Sequence, residues 1–235
     1  MIETVNKPMI SVMIPTRNSL DNLQQCISSL VKFCTQMDKV EYIVKVDNDT
    51  NDAKFIKKIF RKIPSGEHCI YKIINSSRRE GYVSIPEYFE EMINISEGKI
   101  LWPFSDALIV AKGDWVSRLL SLDVSSKDGI YIAYFKYSST KHKYAVGKYI
   151  QIGAAPAFSK KIYDSLGYLS LRGVQVDIFL RNIFKFMQEK VQLFEDVWVV
   201  HMHNSIGRGG NIDYVKKSIS WAEYRILSEK ILKGT

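Results

Sequence analysis

A chain of 235 residues is long enough to bury one sizeable core, and it falls in the size range of a single α/β domain. With 46% hydrophobic and 25% charged residues, no apolar run near the roughly 20 residues that span a bilayer and no signal-peptide core, it reads as a globular, cytoplasmic protein. The net charge of +8 favours an anionic partner, such as a nucleotide diphosphate, a phospholipid surface or a nucleic acid, without choosing among them. The Lys and Arg residues are scattered rather than striped, which counts against nucleic acid. Cys26, Cys34 and Cys69 are odd in number and lack metal-type spacing, so they read as reduced, buried thiols.

Met9 to Ile14 is a short apolar run closed by Pro15, the pattern of a buried strand. Asn18 or Ser19 can cap a following helix, in which Leu20, Leu23, Ile27, Leu30 and Val31 share a face. Tyr42 to Val46 is a second strand, closed by the polar run from Asp47 to Asp52. A helix over Ala53 to Ile63, a strand over Cys69 to Ile74, a helix over Ile85 to Ile95 and a strand over Ile100 to Phe104 follow. Four strand–helix alternations predict a mostly parallel sheet flanked by helices, a Rossmann-like nucleotide-binding half.

The second half is less regular. Strands are expected at Gly129 to Tyr137, Lys148 to Ile152 and Leu193 to Val200, and helices at Ser159 to Leu166 and Val174 to Glu189. Tyr214 to Leu232 reads as a closing amphipathic helix with the stripe Val215, Ile219, Ala222 and Ile226. Packing of that stripe against the domain is the ordinary reading, and contact with a membrane surface is the alternative.

In an open α/β sheet, ligands bind beyond the carboxyl ends of the strands. Three polar clusters sit at such ends: Pro15-Thr16-Arg17-Asn18, Asp47 to Asp52, and Ser105-Asp106. Each alone is an ordinary turn, since Asn and Asp favour turns. A parallel sheet puts all three on one edge, where they can converge on one ligand.

Ile10-Ser-Val-Met-Ile-Pro-Thr-Arg-Asn18 resembles the opening strand of GT-A glycosyltransferases related to family 2. Val46-Asp-Asn-Asp-Thr-Asn-Asp52 is similar to that family's acidic second turn. Ile100-Leu-Trp-Pro-Phe-Ser-Asp-Ala-Leu108 is similar to the strand that carries its DXD-type metal motif, and Gly113-Asp-Trp115 to the segment after it. The likeness covers about residues 8 to 120 well and the rest loosely. It implies a single GT-A domain, with a nucleotide-sugar half over about 1–106 and an acceptor half over about 107–235.

The resemblance also implies roles. Pro15, Thr16 and Arg17 would line the nucleotide pocket, and Asp47 and Asn48 would face the base and ribose, where an acceptor atom can take a uracil or thymine imide N–H. Asn48 stands where a second acid is usual. Arg79 matches a basic position near the base and phosphates. Asp106 matches the ligand of a Mn²⁺ or Mg²⁺ ion, while Ser105 and Ala107 stand where many members have further acids; one carboxylate suffices when substrate phosphates complete the shell. His201 or His203, in Val199-Val-His-Met-His-Asn204, would add a metal ligand, and Arg208 of the following Gly-Arg-Gly-Gly loop would meet phosphate oxygens. Asp177, near the start of a helix, resembles the general base of inverting members, although a register through Gln175 is open, and a helix-start charge is the plain alternative.

The expected activity is transfer of a sugar from a nucleoside diphosphate sugar, UDP- or TDP-type, to a hydroxyl on a glycan, lipid carrier or other polymer. A lipid carrier would add peripheral membrane contact. A nucleotidyltransferase normally has a Gly-rich first turn, which Pro15 to Asn18 lacks. A non-catalytic nucleotide- or glycan-binding relative and a glycosyltransferase acting on nucleic acid are the remaining alternatives.

Overall fold

β1 (Ile10–Thr16) runs through the middle of the parallel part of the sheet, and every one of its residues is buried except Pro15. A strand this apolar must be covered on both faces, which is the condition for a parallel neighbour on each side. It has them: β2 (Val40–Asp47) pairs in parallel from Ile10↔Val40 to Thr16↔Val46, and β4 (Ile100–Pro103) from Ile10↔Ile100 to Met13↔Pro103. β3 (Ile70–Ser76) extends the sheet beyond β2, again in parallel. The computed structural model describes residues 7–48, 52–63, 69–77, 79, 84–125, 129–139, 156–170, 176–202 and 219–233.

The eight described strands form one sheet in the order β3-β2-β1-β4-β7-β6-β8-β5. β5 spans Leu108–Lys112, β6 Ile132–Ser139, β7 Ala157–Ser159 and β8 Val191–His201. The pairs β4–β7, β6–β7 and β5–β8 are antiparallel, and β6–β8 is parallel, so the second half of the sheet is mixed.

Alternate strand residues feed two cores. Val12, Ile14, Tyr42, Val44, Trp102 and Phe135 face α1 (Leu20–Lys32), α2 (Ala53–Lys62) and α4 (Trp115–Leu120). Met13, Ile43, Leu101, Ile132 and Tyr134 face α3 (Ile85–Asn94), α5 (Lys160–Leu166), α6 (Val176–Phe184) and α7 (Trp221–Lys233). The fold is therefore a helix–sheet–helix sandwich.

The elements expected in the first half are present within a few residues. The expected strand at 148–152 lies outside the described residues. β5, α4 and β7 are short and were not anticipated; α4 is announced only by Asp114, which caps it by accepting from the Ser117 N–H at 3.3 Å. The closing helix needs a correction: Ala222 is exposed and Ile226 is 63% exposed, while Tyr224, Ser228 and Ile231 turn inward. The Ser228 hydroxyl is satisfied by the Ile183 and Tyr224 carbonyls, so a polar residue occupies the packed face that a hydrophobic count assigned elsewhere. Ile219 does pack against the core, and Val215 lies outside the described residues. No described helix is long and apolar enough to cross a membrane.

Candidate functional site

The chain lays β1, β2 and β3 outward on one side and then returns to place β4 on the other side of β1. The strand order reverses there, so the turns after β1 and β4 diverge and leave a crevice at their carboxyl ends. Side-chain bonds tie the polar turns together across this edge.

Thr16, the last residue of β1, donates from Oγ1 to Asp106 Oδ2 at 2.8 Å. The β4–β5 turn that carries Asp106 is held by its own hydrogen bonds: Leu108 N–H to the Ser105 carbonyl at 2.9 Å and Ala107 N–H to Ser105 Oγ at 3.2 Å. Beneath it, Cys26 of α1 directs its thiol at the Ser105 carbonyl, 3.6 Å away. Burial, and then the neighbouring Asp106 charge, push the Cys26 thiol well above its ordinary value, so it stays protonated. Asp106 is buried, at 4% exposure. Both the Thr16 bond and α1 packing below the turn draw the carboxylate inward.

A second bond joins the turns after β1 and β2. Arg17 Nη1 lies 2.9 Å from Asp47 Oδ2, while the Lys45 ammonium, from the same strand, bonds Asp47 Oδ1. A third holds Asn18, whose φ of +50° is the left-handed conformation that Asn tolerates; its N–H donates to Asp52 Oδ2 at 2.7 Å. Burial alone would raise the Asp47 carboxyl, but the bonds and charges of Lys45 and Arg17 outweigh it and hold the group below its ordinary value. Asn48 is exposed at the end of β2, its N–H bound to the Ser76 carbonyl at 2.9 Å. Pro15 is half-buried within β1.

Arg79 sits just past β3, gripped by two carboxylates of α3: Glu87 at 2.7 Å and Glu91 at 2.7 Å. Its N–H also donates to the Tyr88 hydroxyl at 2.9 Å. The guanidinium is thus part of a local ion-pair cluster on the same edge.

His201 ends β8, and the β5–β8 pairing sets it opposite Leu108, two residues beyond Asp106. Met202 N–H donates to the Ala107 carbonyl at 2.8 Å, which closes the same segment. His201 Nδ1 lies 3.0 Å from the Tyr137 hydroxyl, a contact that orients the ring as the outer partner of a metal-ligating imidazole commonly does. For Nε2 to ligate, Nδ1 must carry the proton and donate it to Tyr137.

Among the described residues, no group of three or more His, Cys, Asp and Glu forms a ready-made metal cage. One carboxylate supplemented by substrate phosphates is the usual way to hold a Mg²⁺ ion, and Asp106, with His201 on the adjoining strand, would supply the protein's part of such a site. Asp177 is the second residue of α6, as the helix-start reading required. His203 and Arg208 lie outside the described residues, as does Gln175.

Sequence reasoning did not single out Lys45, Tyr88 or Tyr137, and it gave Asp52 only as the end of a polar cluster. Lys45 carried a signal: it is a charge inside the apolar run of β2, and such residues are rarely buried unless paired. The Asp52 and Tyr137 contacts are tertiary and have no local mark.

No family model matches the sequence, and no curated protein matches it. Solved structures do. A mannosyltransferase from Pyrobaculum calidifontis, PcManGT, in complex with GDP-Man and Mn²⁺, matches with a TM-score of 0.67 at 13% identity, over 86% of this chain and 59% of that one. S. aureus TarS 1–349 in complex with UDP matches at 0.60 and 12% identity, over 82% of this chain and 60% of that one. GalNAc-T7 with UDP, GalNAc and Mn²⁺ matches at 0.61 and 14% identity, over 94% of this chain and 48% of that one. This chain therefore has the GT-A fold of nucleotide-sugar glycosyltransferases. It spans about half to three-fifths of the length of these solved chains, and their donors and metals are properties of those proteins.

The Arg17–Asp47 bond has a pH signature. A carboxyl held below its ordinary 3.8 contributes stability that is present above that value and is lost as pH falls through the folded-state value. Arg17→Gln is expected to lower the urea midpoint relative to the wild type at about pH 7, with the gap narrowing at acid pH as Asp47 takes up its proton below its ordinary value. An equal gap at both pH values would mean that Arg17 stabilises the fold by some route other than this pair.

Proposed function

We propose that this chain is a glycosyltransferase that takes a sugar from a nucleoside diphosphate sugar and passes it to a hydroxyl acceptor. The observation that carries the reading is the Thr16–Asp106 bond, which sets a buried carboxylate in the crevice where the strand order reverses. Arg17 and Asp47 adjoin it, so an anionic ligand at this edge would meet a cation, a carboxylate acceptor and a metal-binding carboxylate together. The GT-A fold supports the reading, since PcManGT is solved with GDP-Man and TarS with UDP-GlcNAc.

In this reading Pro15, Thr16 and Arg17 line the nucleotide pocket. Asp47 and Asn48 receive the base and ribose; a carboxylate accepts the imide N–H of uracil or thymine, which favours UDP or TDP donors. Asp106 would hold a divalent cation with His201 or His203, and such an ion would neutralise charge on the departing diphosphate. Arg79 and Arg208 add positive charge near the phosphates. Asp177, on α6 in the other half of the chain, takes the proton of the acceptor hydroxyl in an inverting transfer.

The acceptor is a glycan, a lipid carrier or another polymer. A lipid carrier suits the exposed Trp221 and Ile226 of α7, with Lys185 stacked 4.4 Å from the Trp221 ring centroid, a basic aromatic face of the kind that meets membrane surfaces. Ser105 and Ala107, in place of further acids, favour one other reading, a relative that binds nucleotide or glycan without turnover. Metal-dependent hydrolysis of a nucleotide sugar in the absence of acceptor separates the two.

In a thermal-shift series, UDP- or TDP-sugars should raise the melting temperature more than GDP-sugars, and Mn²⁺ should enlarge the shift, because ligands that bind only the folded state stabilise it. Asp106→Asn keeps an oxygen for Thr16 and should abolish the Mn²⁺ enhancement. Stronger stabilisation by GDP-sugars would overturn the base assignment, and undiminished Mn²⁺ dependence in the variant would overturn the metal assignment.

The proton acceptor has its own test. Asp177→Asn should reduce turnover by about 10²–10⁴-fold, the range for loss of a general base, with donor binding preserved. The product linkage should be inverted by NMR. Retention at the anomeric carbon, or near-normal turnover, would leave Asp177 a helix-start charge.

A further inference from the structure

β2 is buried along its whole length, yet it carries two ionised side chains ahead of its terminal Asp47. Glu41, at the far edge of the sheet, is accounted for by Ser11 Oγ at 2.6 Å, the Glu97 N–H at 2.6 Å and the Lys72 ammonium at 2.8 Å. Lys45 lies at the opposite end, on the site edge. Its side chain is 1% exposed, its ammonium sits 3.9 Å from the Tyr88 ring centroid and it bonds Asp47 Oδ1.

Asp47 is therefore shared by two cations of unlike exposure. Lys45 is locked between β2 and α3. Arg17, on Oδ2, has a side chain 33% exposed and belongs to the turn that follows Thr16, beside the Asp106 crevice. Nearby, Asp106 accepts from Thr16 and Asp52 from the Asn18 N–H.

We propose that Arg17 is a transferable phosphate-binding residue and that Lys45 makes the transfer possible. In the ligand-free protein the guanidinium is held on Asp47. When a nucleoside diphosphate enters, Arg17 passes to a phosphate oxygen. Lys45 stays behind and keeps Asp47 neutralised, so the move leaves no buried carboxylate without a counter-charge. Without Lys45, the departure of Arg17 would take counter-charge from the buried Asp47 carboxylate, an unfavourable change, and Arg17 would be detained. Lys45 is thus a positioning residue that acts on phosphate through Arg17. This inference rests on the nucleotide pocket proposed above.

The test is the affinity ratio between UDP and uridine, measured by titration calorimetry or ligand-observed NMR in EDTA, so that no metal contributes. Arg17→Gln should contract that ratio about tenfold, the equivalent of one charge-assisted hydrogen bond. Lys45→Gln should contract it by a similar factor, and the double variant no further than Arg17→Gln alone, because the two act in series. A purely structural Lys45 would weaken uridine and UDP alike, or act additively with Arg17→Gln, and either result would overturn the inference. Should Lys45→Gln fail to fold, the Arg17→Gln arm still decides, since an unchanged ratio there removes the phosphate contact on which everything depends. A wild-type protein that binds neither uridine nor UDP would overturn the nucleotide pocket itself.

Discussion

The site depends on one topological constraint, that β1 has a parallel neighbour on each side and that the chain reaches them in opposite directions. Parallel pairing brings the carboxyl ends of β1, β2 and β4 to one edge, while the reversal of strand order opens a crevice between the turns after β1 and β4. Thr16 and Asp106 meet across that crevice at 2.8 Å, although they are 90 residues apart in sequence. The Cys26 thiol and the Met202 N–H then fix the Asp106 turn from α1 and from the end of β8. The carboxylate is placed by the sheet before any ligand arrives.

The same edge shows how a buried charge is made tolerable. A lone lysine inside a strand would face a desolvation penalty of several kcal/mol even after relaxation. Lys45 meets a carboxylate two residues along its own strand and an aromatic face from α3, and a buried Asp47 in turn gains two donors. Three elements are tied by this cluster: the turn after β1, the end of β2 and α3. Tyr88 extends it, with its ring under Lys45 and its hydroxyl accepting the Arg79 N–H. A hydrophobic residue at position 45 would serve packing alone at least as well, and this is why the pair reads as part of a site rather than as a brace.

The nucleotide half was legible because its strands are short apolar runs, its helices have regular stripes and each junction carries Pro, Asn, Asp or Gly. Thr16, Arg17, Asp47 and Asp106 could be singled out because a parallel sheet forces strand-end residues together whatever their sequence separation. The second half was harder. β7 is three residues long and β5 follows β4 after a turn of four, too short for a period to declare itself. The closing helix was read with the wrong face because Ser228 packs inward, with its hydroxyl satisfied by backbone, while Ile226 is left outside. The burial of Asp106 has no sequence mark for a related reason: whether a turn carboxylate points to solvent or inward is decided by tertiary partners. Lys45 was visible as a charge in an apolar strand, but its partner became evident only when period-two alternation was joined to the α3 packing.

The most direct measurement of the central claim is a crystal structure of the protein with UDP and Mn²⁺. The account predicts the base beside Asp47 and Asn48, the diphosphate in the crevice between the turns after β1 and β4, and the ion on Asp106. Nucleotide bound elsewhere, for example in the polar groove between α1 and β5 lined by Asp21, Gln25 and Ile109, with the Thr16–Asp106 crevice untouched, would contradict it.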